Sequence, residues 1–259
     1  MSALRAEWTK ARTLAETWWL LLVVIALTTA MGGGAATATT AVTCQAAGCD
    51  QDLAKITLSG IDLSQAVVAI VAVLAISGEY STGMIRLTLT AMPRRITVLA
   101  AKAVVTTGLV LAAGAVGVLA SVLAGRLILP GRGFTPSHGY PPLSLANGPD
   151  LRAAAGSVLY LALIALLALG TATAARDTAV SIGVVLGLLY LFPVIAGALD
   201  PRWSRHLQQI GPMSAGLYIQ ATSDLPSLPL TPWQGLGVLA LWATGALLIG
   251  GLVLWLRDA

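Results

Sequence analysis

The chain has 259 residues, of which 57% are hydrophobic and only 10% charged, and its mean hydropathy is +0.84. A soluble domain of this length needs a more charged surface, so the composition excludes an ordinary soluble protein and indicates an integral membrane protein. The formal net charge of +4 fits Lys and Arg retained in loops on the inner side of a membrane. We therefore expect membrane lipid around the chain and no nucleic-acid partner.

Six apolar stretches are long enough to cross a bilayer, which takes about 20 residues. They lie at 17–36, 61–78, 96–127, 153–175, 178–199 and 236–256. The predicted fold is all-α: one polytopic domain, 1–259, with six transmembrane helices. The second stretch is the weakest, because Asp62 lies in its outer turn; Asp62 is also the only acid that we place inside a span.

The residues before the first span predict an interfacial helix. Leu4, Trp8, Ala11 and Ala15 follow helical spacing, which puts them on one side of a helix that can lie on the inner leaflet. A secretory signal peptide is the alternative, since the start is basic and small residues follow the apolar run. The acids Glu7 and Glu16 argue against it.

The distribution of Lys and Arg predicts that both termini are cytoplasmic, in a multi-pass protein of the cell membrane. Nine cations then lie inside, in segments shorter in total than the outer loops: Arg5, Lys10, Arg12, Arg86, Arg94, Arg95, Lys102, Arg176 and Arg257. Six lie outside: Lys55, Arg126, Arg132, Arg152, Arg202 and Arg205.

The predicted outer loops hold two further features. Cys44 and Cys49 lie close together in the first loop, where a local disulfide is favoured over two unpaired thiols. In the loop between the last two spans, two short helical stretches flank Gly211-Pro212. They form either a pair that dips into the outer leaflet or a pair on the surface.

Catalytic and nucleotide-binding motifs are absent from the sequence, which has no phosphate-binding glycine loop, nucleophile elbow or HExxH. The two His residues are far apart, and no Cys/His cluster has metal-ligand spacing, so we expect no metal site and no catalysis by this chain. Polar residues inside the spans can line a translocation path or simply bond their own helices. The candidates for such a path are Thr106, Thr107, Ser157, Tyr160, Ser181 and Tyr190.

The segment between the second and third spans is the longest polar interruption on the predicted inner side. Residues 81–92 have an amphipathic pattern that ends at Pro93. This segment is either an interfacial loop anchored by positive charge or a helix that docks on a cytoplasmic partner.

The segment also carries the motif E-x3-G-x3-L-x-L, followed by P-R-R and a later Lys. Its residues are Glu79, Gly83, Leu87, Leu89, Pro93, Arg94, Arg95 and Lys102. This motif resembles the corresponding region of ABC transporter permease subunits of the type-2 exporter class. The amphipathic start, the six spans and the helix pair before the last span are similar to that family as well, so the resemblance covers most of the chain.

The resemblance implies the membrane-spanning half of an exporter for an amphipathic or apolar compound, such as a drug, antibiotic, lipid or peptide. Two cytoplasmic ABC ATPase subunits would bind ATP and Mg, and a second permease copy or a homologous sister would complete the membrane part. The coupling residues would be Glu79, Gly83, Arg86, Leu87, Leu89, Pro93, Arg94 and Arg95. A non-transporting membrane anchor that recruits a cytoplasmic partner is the alternative, and a self-sufficient carrier or channel is a third hypothesis.

Overall fold

The computed structural model describes residues 2–40, 51–81 and 95–257, and within them every regular element is a helix. Six helices are long and apolar enough to cross a membrane, which confirms the predicted all-α polytopic fold. The first five helices are α1 (Ser2–Thr13), α2 (Ala15–Ala38), α3 (Leu53–Leu58), α4 (Ile61–Ser81) and α5 (Arg95–Ile128). The others are α6 (Gly148–Ala175), α7 (Thr178–Ala198), α8 (Pro201–Ile210), α9 (Pro212–Gly216) and α10 (Pro232–Arg257).

The long helices run antiparallel in succession, so the bundle has two ends. The end that carries α1, the last turn of α4 and the first turn of α5 is called the α1 end. The other end is called the hairpin end, since α8 and α9 lie there. The link between α6 and α7 consists of Arg176 and Asp177, and Asp177 caps α7 by accepting a hydrogen bond from the Val180 amide at 2.8 Å.

Helix α6 is the centre of the bundle. About 72% of its most apolar window is buried, against 22% for α7 and for α10. It packs against α4, α5, α7 and α10. The peripheral helices keep long rows of exposed apolar side chains, as lipid-facing helices do. The core of the protein therefore surrounds α6, and any site formed with α6 side chains lies inside the bundle.

The second span is broken. Apolar sequence long enough to cross a membrane runs from Leu53 to Gly78, but a turn at Ser59–Gly60 divides it into α3 and α4. The sequence places the start of this span at residue 61 and Asp62 at its outer edge. The structure corrects that placement, because α3 precedes Asp62 and moves it inward along the span.

Hydroxyl groups and a glycine allow the turn at Ser59–Gly60 to pack against α2 and α5. The Ser121 hydroxyl on α5 donates to the Thr57 carbonyl at 2.5 Å, which satisfies a carbonyl near the end of α3. The Thr28 and Ser64 hydroxyls lie 2.7 Å apart. Gly60 packs directly on the Thr28 backbone, where a Cβ would overlap the carbonyl oxygen. Buried backbone groups in lipid need such internal partners, so these contacts make a broken helix tolerable in the membrane.

Helices α8 and α9 form a hairpin that turns at Gly211, and a 3₁₀ turn at Leu217–Gln220 continues it. The Trp242 indole donates to the Ile210 carbonyl at 2.9 Å. Trp242 lies ten residues after the start of α10, or about 15 Å along the helix at 1.5 Å per residue. The turn of the hairpin therefore reaches well down the bundle. This favours a pair that dips into the membrane over a pair that rests on the surface.

Replacement of Gly60 by Ala is expected to destabilise the protein by about 1–3 kcal/mol, the usual cost of overpacking. The new methyl group would overlap the Thr28 backbone, which has no flexible end to move. The measurement is the thermal unfolding midpoint of the purified protein in detergent. Gly34→Ala is the matched control, because its Cβ would meet nothing within 4 Å; an equal loss of stability in both variants would contradict the close contact.

Candidate functional site

Most of the predicted coupling residues lie outside the described part of the chain. Gly83, Arg86, Leu87, Leu89, Pro93 and Arg94 fall in 82–94, and Cys44 and Cys49 fall in 41–50. Glu79 lies in the last turn of α4 and Arg95 begins α5. The two helices that enter and leave the segment are thus fixed, and the docking helix and the disulfide stay predictions.

Helix α1 packs on the start of α5 with one side and exposes the other. Ala3 and Glu7 are buried, whereas Leu4 and Trp8, from the predicted apolar stripe, are 43% and 45% exposed. The apolar stripe therefore faces away from the protein, as expected for a helix that lies on a membrane surface. The side of α1 that binds the bundle is the one that carries a carboxylate.

Glu7 forms a buried ion pair with Lys102. The Lys102 ammonium lies 2.7 Å from one Glu7 oxygen and also donates to the Ala75 carbonyl at 2.9 Å. The other Glu7 oxygen accepts from Lys10 at 3.2 Å. Glu7 is 6% exposed and Lys102 is 4% exposed. This ion-pair junction, formed by Glu7, Lys102 and the Ala75 carbonyl, joins α1, α5 and α4 at one point.

The sequence did not predict the junction. From the sequence, Lys102 was predicted to be a cation beside the third span. Glu7 served only as an argument against a signal peptide. The available signal was that Glu7 lies three residues from Lys10 and four from Ala3, on a side of α1 next to the apolar stripe. A buried charge requires a partner of opposite sign, but the sequence does not show which of several cations supplies it.

Of the predicted path residues, two come together. The Tyr160 hydroxyl on α6 donates to the Gln65 side-chain oxygen, and the Tyr190 hydroxyl on α7 donates to the Asp62 carbonyl at 2.6 Å. Gln65 also donates to the Asp62 carbonyl at 3.0 Å. Asp62, Gln65, Tyr160 and Tyr190 are called the polar cluster. It connects α4, α6 and α7.

The other path candidates lie elsewhere. Ser157 is fully buried one turn before Tyr160, and Thr106 is buried on α5 beside the half-buried Thr107. Ser181, near the start of α7, is buried and donates to the Asp177 carbonyl. That bond serves its own helix, which is the simpler role of a hydroxyl in a span.

The hairpin covers the polar cluster from the hairpin end. Gly216 lies against the Tyr160 ring, where a Cβ would be 2.6 Å from a ring carbon. Gly235 on α10 lies against the Ala215 carbonyl, and Gly156 on α6 lies against Ile219. Since three glycines remove the side chains that would separate the backbones, α9 and its 3₁₀ turn fit closely between α6 and α10.

Asp52 fastens the far end of the hairpin. Its carboxylate caps α3 by accepting from the Lys55 amide at 3.1 Å. It also accepts from the amide of Thr222, from the Thr222 hydroxyl at 2.7 Å and from the Ser223 amide at 3.1 Å. Hydrogen bonds to a charged acceptor are the stronger kind. Asp52 thus ties the first half of the broken span to the residues that follow the hairpin.

Comparison with models of known protein families gives no match. Comparison with curated protein sequences gives no match either.

Removal of one partner of the ion-pair junction is expected to lower the free energy of unfolding by about 3–5 kcal/mol, because the remaining charge stays buried. Glu7→Gln and Lys102→Met should each show this loss, and the double variant should lose less than the sum of the two. Thermal unfolding in detergent measures the cycle. Glu16→Gln, at an exposed acid of the neighbouring helix, is the control; additive losses would contradict a direct interaction.

Replacement of Asp52 by Asn is expected to loosen the end of the hairpin without unfolding the bundle. An amide accepts hydrogen bonds less strongly than a carboxylate, and the expected cost is about 1–3 kcal/mol. Hydrogen–deuterium exchange should become faster in 217–223 and stay unchanged in α6. Asp224→Asn changes a neighbouring acid that makes no cap hydrogen bond through its side chain; faster exchange there to the same degree would contradict the role of Asp52.

Proposed function

We propose that this chain is the membrane-spanning permease subunit of an ATP-driven ABC exporter. It spans the cell membrane with both termini in the cytoplasm. Two separate ATPase subunits bind ATP and Mg and act on residues 79–95, and a second copy of the chain or a homologous sister completes the membrane part. The cargo is an amphipathic or apolar compound, and its direction is outward.

The observation that carries the proposal is the ion-pair junction behind the predicted docking segment. Helix α4 leads into residues 82–94 and α5 leads out of them. A single Lys102 ammonium bonds both to α1 and to α4. A push on the segment would therefore reach α1, α4 and α5 together instead of being absorbed by one flexible loop. An energy-receiving surface needs such stiffness, because packed elements transmit displacement as units.

The orientation is supported by charge. Arg5, Lys10 and Arg12 lie on α1, and Arg176 lies between α6 and α7 at the same end of the bundle. Arg86, Arg94 and Arg95 belong to the segment that connects α4 and α5 at that end. Cations of short loops mark the cytoplasmic side. The α1 end is then the cytoplasmic end, where an ATPase is accessible.

A membrane anchor that recruits the same partner is the second candidate, favoured by the burial of the polar cluster residues Gln65 and Tyr160, which are fully enclosed. An anchor needs the docking surface and the stiff junction but no route for a compound. The two functions therefore share the α1 end and differ at the polar cluster and the hairpin.

The test is capture of the tagged chain from its host membranes in detergent, followed by reconstitution into vesicles. We expect an ATPase with a phosphate-binding loop to be captured, and we expect ATP to drive accumulation of a fluorescent amphiphile in inside-out vesicles. Arg94→Glu combined with Arg95→Glu should lower capture and uptake at least tenfold, because charge reversal opposes docking.

The matched control is Arg126→Glu combined with Arg132→Glu, an equal change of charge at exposed positions of the hairpin end. It should retain both activities. Capture of an ATPase without ATP-driven uptake would favour the anchor. Failure to capture any ATPase would count against both, and flux driven by an ion gradient in vesicles that contain the chain alone would favour a carrier.

A further inference from the structure

Asp62 is an acid inside the second span. The span begins at Leu53, and Asp62 lies just after the turn at Ser59–Gly60 that separates α3 from α4. Its neighbour Tyr190 lies eight residues before the end of α7 at Ala198, or about 12 Å along that helix at 1.5 Å per residue. The contact with Tyr190 therefore puts Asp62 beside an inner part of α7. Acids inside a span are costly, and they usually serve a ligand or an ion.

The backbone of Asp62 forms hydrogen bonds, whereas its carboxylate forms none with the described residues. The Asp62 carbonyl accepts from Tyr190 and from Gln65. Among the described residues, no hydrogen bond or salt bridge uses the carboxylate oxygens. Lys55 is the cation whose charge acts on this carboxylate, but Lys55 is exposed. Tyr190 and Gln65 thus hold the residue in place through its main chain while the charged group stays available.

Asp62 is also partly exposed. Asp62 and Tyr190 are half-buried, and the adjacent Leu63 is 45% exposed. Gln65 and Tyr160 are fully buried behind them. Val67 is half-buried one turn after Leu63 on α4, so the two form an apolar pair beside Asp62. The polar cluster is therefore closed toward α6 and open toward the outer surface of the bundle beside α4 and α7.

We propose that Asp62, held by Tyr190 and Gln65, binds the positively charged group of an amphipathic organic cation whose apolar body packs on Leu63 and Val67. This inference names the substrate class and so rests on the proposed function. A cation with an apolar body fits both parts of the site. Its charge offsets a carboxylate in low dielectric, where the attraction is several times stronger than in water. Its body replaces lipid on the side chains of α4.

An anion does not fit, since the carboxylate would repel it. A small hydrated metal ion fits less well, because hard cations need several oxygen ligands and the other oxygens of the polar cluster already take part in hydrogen bonds. The site therefore selects a ligand that has both a positive charge and an apolar body.

The test uses the full chain in lipid nanodiscs and two probes of nearly the same size and shape, tetraphenylphosphonium and tetraphenylborate. Equilibrium dialysis should show saturable binding of the phosphonium cation beyond that of empty nanodiscs. Asp62→Asn should weaken this binding about tenfold or more, by the loss of one partly buried charge pair. The borate anion should show no saturable binding in either protein.

Asp200→Asn is the matched control, because Asp200 is an exposed acid at the same end of the bundle whose side chain makes no cap hydrogen bond. It should bind the cation like the unchanged chain. Thermal unfolding shows whether Asp62→Asn is folded, and Asp62→Glu, which keeps the charge, should retain most of the affinity.

Three results would overturn the proposal: no saturable binding of the cation, equal affinity in Asp62→Asn, or borate binding with the same dependence on Asp62. None of them touches the proposed exporter function, which is measured through ATPase capture at the other end of the molecule. Conversely, the chain could bind the cation through Asp62 and yet capture no ATPase. It would then be a cation-binding membrane protein and not an ABC permease.

Discussion

The positions of the polar cluster and the hairpin depend on the contacts that stabilise the turn between α3 and α4. Lipid offers no hydrogen bonds, so a turn within a span must satisfy its free backbone groups inside the protein. Ser121 supplies a donor for the Thr57 carbonyl, and Gly60 allows the Thr28 backbone to approach. With the turn fixed, α3 occupies the part of the second span at the hairpin end, and α4 begins with the acid Asp62 inside that span. Asp52, at the start of α3, then reaches the end of the hairpin.

The long helices were predictable because length and hydropathy alone define a membrane span. The hairpin was predictable from the helical spacing on each side of Gly211-Pro212, although its depth was not, since depth depends on the Trp242 bond to Ile210. The break was missed because the sequence analysis starts the second span at residue 61, so no helix was expected before Ser59–Gly60. Asp52 before Leu53 was the overlooked indication, as a capping residue that starts a separate short helix.

The candidate site was harder to predict than the fold. Tyr160 and Tyr190 were chosen as polar residues in spans, and they do meet at Asp62 and Gln65. Ser181 was chosen by the same rule, but its hydroxyl bonds only to the start of its own helix. Residue type therefore did not distinguish residues that connect helices from residues that bond within one helix. Glu7 and Lys102 are 95 residues apart in sequence. Such pairing is decided by how α1 packs on α5, which the spacing within either helix does not reveal.

The ion-pair junction also sets an order for biogenesis. Glu7 is synthesised before Lys102, which follows 95 residues later in the chain. At about 5–20 residues per second, the acid waits on the order of 5–20 s before its partner is made. During that interval the Glu7 carboxylate has its neighbour Lys10 but not Lys102, and water at the membrane surface still solvates it. Helix α1 therefore docks only after the third span begins to insert, and a change at Glu7 would affect assembly before it affects activity.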